Sequence, residues 1–351
     1  MPGGGKFTAM SATHRPPDSI DRVREAQRFG RGILPEVSRT FAISIKALPG
    51  VLGDAVCTAY LLCRIADTIE DDNTTAPEQR AAWLDAFPLQ VRALQGDPAH
   101  LRLVAHTDLV LVAFRALPPR TRDRVAHWVR EMGRGMAKFV RTYPRGIRIQ
   151  TLPEYREYCY YVAGTVGCML TELWHEHVPA VGRREFDRLW SRCQTFGEAL
   201  QTVNILKDIA HDAEHENSIY LPAHDLEAAG SGHATLLSPA HVEHNHRVVE
   251  GFIALARTDL DAALEYTLAI PRRAFRVRAF CVLPLLFAYA TLRDLSRSRA
   301  MLTAGGQVKI SRAEVKALML AGLLAIGSNA ALRRLVASVQ ARPFRLGLVG
   351  A

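Results

Sequence analysis

Arg64-Ile65-Ala66-Asp67-Thr68-Ile69-Glu70-Asp71-Asp72 closes a stretch whose preceding turns, residues 56–62, are largely apolar. Read as a helix, Asp67 and Asp71 stand one turn apart on one face, and Arg64 and Glu70 lie close to it. A buried helix that ends in several carboxylates is costly, because like charges repel and loss of water penalises each of them. A cation relieves both costs. Hard oxygen ligands suit Mg²⁺, which keeps several waters and shares its coordination with substrate phosphates. Taken alone, the segment reads more readily as a solvated acidic helix end.

A second stretch changes that weighting. Gln201, Asn204, Asp208 and Asp212 fall at intervals of three, four and four, so they line one stripe of one helix. Phe196, Leu200, Val203, Ile205, Leu206 and Ile209 give the same helix an apolar body. Amides and carboxylates striped along a core-like helix predict a lined cavity. Two helices with paired aspartates could face each other across a pocket, with Mg²⁺ and a diphosphate between them. An amphipathic surface helix is the ordinary alternative, and two such motifs in one chain make it the weaker one.

The third stretch is Tyr158-Cys159-Tyr160-Tyr161-Val162-Ala163-Gly164-Thr165-Val166-Gly167. Glycine inside a helix costs about 1 kcal/mol relative to alanine. Two of them three apart predict the close approach of another helix or of a long apolar ligand. Tyr161 and Thr165 share a face with Gly164, and a phenol beside a cavity can relay a proton or present a π face to a cation. Plain helix packing around a core tyrosine explains the segment equally well.

Outward from these motifs the pattern is helical nearly everywhere. Helical spacing covers residues 20–30, 35–47, 51–72, 78–95, 100–116, 119–142, 152–177, 183–216, 239–268, 271–297 and 312–338. Residues 217–238 read as a loop. Prolines such as Pro118, Pro153 and Pro222 sit at segment edges, where they belong. No linker or solenoid repeat appears. The chain is therefore expected to be all-α, with a disordered tail over residues 1–18, one large helical domain over 19–340 and a short tail over 341–351.

Composition agrees. The 351 residues are 48% hydrophobic, which excludes global disorder, and the net charge of +9 favours anionic partners. Six cysteines form no CxxC pair and lie mostly among apolar residues, so they read as buried free thiols in a reducing cytoplasm. The N-terminus lacks the apolar core of a signal peptide. The apolar stretches 279–292 and 317–332 fall short of the ~20 residues of a spanning helix. A soluble protein is expected. Seven of the 13 histidines fall between residues 211 and 246 without metal-ligand spacing and read as a solvated loop. Arg272, Arg273, Arg276 and Arg278 form a basic run without an aromatic nucleic-acid motif, so no nucleic-acid partner is expected. Rossmann, Walker A and Gly-x-Ser-x-Gly signatures are absent.

The combination and order of the motifs resemble the squalene/phytoene synthase family of head-to-head isoprenyl diphosphate synthases. The resemblance rests on Ser38-Arg39-Thr40-Phe41, the Asp67–Asp71 motif, the Tyr158–Gly167 stretch, and the 201–212 stripe followed by Tyr220-Leu221-Pro222. It runs from about residue 35 to about residue 320. The segments Ala279-Phe280-Cys281-Val282-Leu283-Pro284 and Val308-Lys309-Ile310 are more similar to the squalene synthase branch.

The resemblance implies a helical bundle of the isoprenoid synthase type with a central cavity. It implies Mg²⁺ held at Asp67, Glu70, Asp71, Asn204, Asp208 and Asp212. Ser38, Thr40, Arg64, Gln201, Asn204 and Lys207 would contact diphosphate or the metal shell. Tyr161 would transfer a proton, Phe280 and Pro284 would line the cavity, and Lys309 and Arg312 would meet the phosphates of NADPH. The implied reaction joins two farnesyl diphosphates through presqualene diphosphate and reduces the product to squalene. Alternatives are a phytoene, dehydrosqualene or presqualene diphosphate synthase without reduction, and a prenyltransferase with a non-isoprenoid acceptor. A degenerate isoprenoid-binding scaffold is a further reading, against which the intact aspartates argue.

Three positions depart from the family pattern. Lys207, Ser218 and Ser311 stand where arginines are usual, so a bidentate fork is lost at the first and charge at the other two. An oily product and the basic residues Arg333, Arg334, Arg342 and Arg345 suggest peripheral association with the inner face of a membrane.

Overall fold

The computed structural model describes residues 18–86 and 97–345. All the regular structure described is helical, and one isolated bridge, Arg148 to Ile219, is the only extended pairing among the described residues. The expected tails at 1–17 and 346–351, and the end of the 78–95 segment, lie outside the described residues.

The chain opens with α1 (Ile20–Val37), α2 (Arg39–Lys46), α3 (Gly50–Asp71), α4 (Pro77–Asp85), α5 (Pro98–Ala105) and α6 (Thr107–Arg115). Long helix α7 (Pro119–Thr142) follows, then α8 (Leu152–Cys159), which runs through a π-helical turn at Tyr160–Gly164 into α9 (Thr165–His177). The longest helix is α10 (Arg183–His215), 33 residues. After short α11 (Ala223–Ala228) come α12 (Val242–Ala269), α13 (Phe275–Leu295), α14 (Arg312–Ala325) and α15 (Asn329–Ala341).

Local chemistry sets several of these boundaries. Ser38 ends α1 and caps α2, its side chain accepting from Phe41 N at 3.1 Å. Prolines start α4, α5 and α7, where a missing N–H costs nothing. Ser311 caps α14 by accepting from Glu314 N at 3.1 Å, the N-terminal half of a capping box. The sequence expectation of one helix over 312–338 is corrected here: residues 326–328 break it into α14 and α15. The 217–238 segment is not wholly a loop, since α11 and a 3₁₀ turn at His233–Thr235 lie within it.

A single large apolar core joins α1 to α15, and α3 is buried along most of its length. Helix α13 is longer than its apolar run suggested. Its 21 residues suffice in length and composition to cross a membrane, but 83% of its most apolar window is buried inside the protein. That burial is what a core helix requires. All six cysteines are free and buried.

The crossing of α9 and α10 explains the glycines. A Cβ on Gly167 would meet the Cys193 carbonyl oxygen at 1.9 Å, and one on Gly197 would meet that of Ala163 at 2.0 Å. The reciprocal notches let the two backbones touch just beside the cavity.

Candidate active site

The two aspartate motifs end helices on opposite walls of one cleft. Its empty space, counted to the open mouth, is about 930 Å³. Helix α3 gives Val56, Ala59, Tyr60, Cys63, Arg64 and Asp67 to one wall; α10 gives Phe196, Gly197, Leu200, Gln201 and Asn204 to the other. Val162, Ala163, Val166 and Leu170 form the floor, and Phe41, Ile45 and Phe280 complete the apolar end. The interior is thus greasy and its rim polar, the arrangement expected where one end of a ligand is hydrocarbon and the other charged.

At the first motif Arg64 pairs with Asp67 at 3.4 Å and donates to the Tyr60 hydroxyl at 3.2 Å. The Tyr60 hydroxyl donates in turn to the Val37 carbonyl at 3.2 Å. Glu70 is 7% exposed. Its Oε2 accepts from the Tyr158 hydroxyl at 3.2 Å, while its Oε1 is buried without a hydrogen-bond partner. Arg80 does not neutralise this carboxylate; its Nη1 donates to the Glu70 backbone carbonyl at 2.7 Å.

The electrostatics follow from that crowding. Burial first, then the charge of Asp67, pushes the Glu70 carboxyl up to about 8, although the Tyr158 hydrogen bond works the other way. Asp67 is raised by burial against the pull of Arg64. Asp71 has an exposed tip but is hemmed in by protein on its other sides; this enclosure, followed by Glu216, Glu70 and Asp67, holds it well above the usual carboxylate range. At the second motif burial, then Glu216 and Asp208, pushes Asp212 to about 9. Lys207 pairs with Asp208 at 3.0 Å. A bound cation would relieve this repulsion.

The C-terminal ends of α3 and α10 are tied together. Asn73 donates to the His215 carbonyl at 3.3 Å. Asn217 turns the chain in a left-handed conformation, φ 49°, which Asn tolerates better than most residues. Ile219 N then donates to the Ile147 carbonyl at 2.8 Å, fixing the segment after the motif.

The structure treats the sequence candidates unequally. Asp67, Arg64, Gln201, Asn204 and Phe280 line the cleft; Glu70 and Asp71 line a second, smaller cavity, and Asp212 stands within the electrostatic reach of Asp208 and Glu216. Tyr161 does not line the cleft: its ring lies against Gly135 of α7, where a Cβ would come within 2.0 Å of Tyr161 Cγ. The π-helical turn rotates it, since an extra residue per turn shifts the face. Pro284 is also placed differently. It is buried within α13, one turn beyond Phe280, and cannot donate back to the Phe280 carbonyl. Ser38 serves as a helix cap, and Thr40 lies on α2, its side chain outside the described residues. Lys309 and Arg312 are exposed, and neither lines a described cavity.

Sequence reading missed four participants. Tyr60 precedes Arg64 by one turn and Asp67 by two, so helical spacing could have found it. Tyr158, Tyr220 and Glu216 were legible only as neighbours of motifs. Tyr158 and Tyr220 stack at 4.9 Å behind Glu70. The histidines expected in a solvated loop lie largely in helices: His211 and His215 belong to α10, and His244 and His246 to α12. Of the basic run, Arg278 is fully buried, donating to the Ile326 and Ile270 carbonyls.

Among the described residues no three His, Cys, Asp or Glu side chains form a ready metal cage. The donor set still fits a hydrated hard cation. The available donors are oxygens, burial and then the neighbouring carboxylates raise Asp71, and one buried Glu70 oxygen has no partner.

An all-helical fold with two acidic motifs at the mouth of an apolar cleft defines the class, and the comparisons with known proteins agree. The squalene/phytoene synthase family model matches residues 34–314, and the chain belongs to that family. It is 27% identical over 276 residues to the squalene synthase of Schizosaccharomyces pombe, covering 76% of this chain and 59% of that protein. It is 35% identical over 197 residues to Squalene synthase BSS of Botryococcus braunii, covering 54% of this chain and 41% of the relative. The chain thus spans less than two thirds of the length of these relatives. A solved complex of TcSQS with BPH1237 superposes with a TM-score of 0.75 at 22% identity, covering 93% of this chain and 94% of that one.

Proposed function

We propose that the chain condenses two farnesyl diphosphates head to head, by way of presqualene diphosphate, with NADPH-dependent reduction to squalene. The observation that carries this reading is the junction of an apolar cleft with carboxylates left short of protein cations. Asp67, Glu70, Asp71, Asn204, Asp208 and Asp212 would hold Mg²⁺. The bound metal supplies charge neutralisation of the diphosphate leaving group.

The chain's own residues do the rest. Arg64 and Lys207 present cations to the leaving diphosphate, and Gln201 and Asn204 present amides. Ala59, Leu170, Phe196, Leu200 and Phe280 keep water away from the allylic cation. The rings of Phe41 and Phe280, 6.4 Å apart, offer π faces to it. Tyr60, held between Arg64 and the Val37 carbonyl, is the phenol on the cleft wall. Tyr161 would need a different rotamer to relay a proton there.

Lys309 and Arg312 are exposed and line none of the cavities described, the cleft included. That placement favours a second reading in which condensation ends without reduction, giving a dehydrosqualene-type product. Incubation with farnesyl diphosphate and Mg²⁺, with and without NADPH, separates the two. Squalene formed only with NADPH supports the first reading; an identical product profile supports the second.

We place the working chain at a membrane surface. Arg333 is already paired with Glu265 at 2.7 Å, so the C-terminal arginines are not all available. Phe275, Leu320, Leu323 and Leu324 are exposed apolar residues on the contacting helices α13 and α14, and Arg272, Arg273 and Arg276 are exposed around the start of α13, a composition suited to anionic headgroups. Sedimentation with anionic but not neutral vesicles, abolished by Leu323→Glu/Leu324→Glu, is the expected outcome. Equal absence from both vesicle types at low salt removes this placement.

A further inference from the structure

Glu216 lies outside both acidic motifs, yet it stands where they meet. It is the C-cap of α10, four residues past Asp212, and its N–H donates to the Asp212 carbonyl at 3.1 Å. Asn73, just beyond the first motif, donates to the adjacent His215 carbonyl at 3.3 Å, which brings the end of α3 to this cap. Glu216 therefore lines one small cavity with Glu70 and Asp71 of the first motif and with Tyr220.

Charge analysis puts it in the same place. Glu216 is the largest single charge acting on Asp71 and on Asp212, one from each motif, and it is itself acted on by Asp208 and Asp67. Lys207, the nearest lysine on α10, pairs instead with Asp208 at 3.0 Å. Its other charged neighbours in the cavity are Arg80, which is spent on the Glu70 and Pro144 carbonyls, and exposed Arg145 on the rim. His211 and His215 act on it from the last turns of α10.

Two further observations point to a ligand. Glu70, more than nine-tenths buried, lines this cavity, and its Oε1 has no hydrogen-bond partner. Position 218, where a cation would serve a diphosphate, carries a serine consumed by the loop: Ser218 is 6% exposed, accepts from Ile147 N at 3.1 Å and donates to the Glu216 carbonyl at 3.3 Å. This end of the cleft thus gains a carboxylate, and the arginine at the turn, Arg148, is spent on the Asn217 carbonyl and side-chain oxygens.

We infer that Glu216 is a further carboxylate donor to the divalent-cation site, bridging the two aspartate motifs and loading a cation before any diphosphate arrives. A turn rich in carboxylate binds the free cation, whereas a turn rich in arginine would bind the diphosphate directly. The inference rests on the Mg²⁺ reading of the motifs given above.

The test is Mn²⁺ binding to the full chain without diphosphate, followed by electron paramagnetic resonance and checked by competition with Mg²⁺. Wild type should bind Mn²⁺, and Glu216→Gln should weaken that binding about tenfold or more, the scale seen when a supporting ligand of a metal site is removed. Glu216→Asp should keep part of it. Glu214→Gln, which alters an exposed carboxylate that accepts from Gly305 N, should bind as wild type does. Wild-type Mn²⁺ affinity in a folded Glu216→Gln variant, with binding lost in Asp71→Asn, overturns the role of Glu216 and leaves the motif site standing. Unchanged binding in both variants overturns the Mg²⁺ reading itself. Circular dichroism of each variant separates loss of a ligand from loss of fold.

Discussion

Two regions bury carboxylates, and they treat them in opposite ways. At the C-terminal helices Glu314, 6% exposed, accepts from Arg293 at 2.7 and 3.1 Å and from Phe344 N at 2.7 Å. Burial works against its charge, but the Arg293 and Phe344 hydrogen bonds win and hold the carboxyl below its ordinary value. At the cleft Glu70 is equally buried, yet one of its oxygens has no partner and its carboxyl is pushed up to about 8. The first acid is neutralised by the protein and serves the fold. The second is left for something the protein does not supply, and that is the mark of a functional carboxylate.

The largest effect should come from breaking the satisfied region. Arg293→Leu leaves Glu314 buried without its cation and should cost about 3–5 kcal/mol of stability. Thermal unfolding should show a fall of roughly 4–7 °C, since the unfolding entropy of a chain this long gives about 1.4 °C per kcal/mol. Turnover per folded molecule at low temperature should persist. A stable Arg293→Leu variant would show that the pair is dispensable and would blur the contrast.

Breaking the unsatisfied region should do the reverse. Asp67→Asn, Asp71→Asn, Asp208→Asn and Asp212→Asn should each lower turnover a hundredfold or more, about 2.7 kcal/mol of barrier. Their unfolding temperatures should hold or rise at pH 8, since Asn relieves repulsion. Near-normal turnover in any two of the four contradicts the two-motif site.

pH sharpens the contrast further. Glu70 and Asp212 have folded values raised from 4.5 to about 8 and from 3.8 to about 9. Their contribution to stability is complete below pH 4 and is lost as pH rises through about 8–9. Metal-free protein should therefore unfold at lower temperature at pH 9 than at pH 6, and Mg²⁺ should restore more stability at pH 9. Glu314 has the opposite sign, its contribution being lost as pH falls through its depressed value. A flat metal-free profile from pH 6 to 9 contradicts the picture of carboxylates held protonated.

The smallest expected effect separates two phenols. Tyr60→Phe removes an acceptor from Arg64 and should lower turnover about tenfold, the worth of a hydrogen bond to a charged group. Tyr161→Phe, with its ring against Gly135, should change turnover less. The reverse ranking in steady-state kinetics would show that Tyr161 swings into the cleft and acts there.

Legibility in the sequence followed periodicity. The striped residues Gln201 and Asn204 and the cluster around Asp67 were readable because a regular helix converts spacing into a face. Long α7 and α10 were readable for the same reason. Tyr161 stands off the cleft wall where the chain passes through a π turn, which breaks the regular helical spacing. The split between α14 and α15 falls at Gly327-Ser328-Asn329, a break signal outweighed by the apolar residues on either side, with Ser328 capping the second helix. Glu216 escaped because it stands at a helix end, where the approach of α3 is a matter of tertiary structure.

The most direct test is the fate of farnesyl diphosphate itself. Purified chain, Mg²⁺ and NADPH should release inorganic diphosphate and yield a thirty-carbon head-to-head product, and chelation of Mg²⁺ should abolish both. Omitting NADPH should leave presqualene diphosphate or a dehydrogenated hydrocarbon in place of squalene. Intact farnesyl diphosphate after prolonged incubation, or turnover indifferent to chelation, would contradict the account that unsatisfied carboxylates await a cation to ionise a diphosphate.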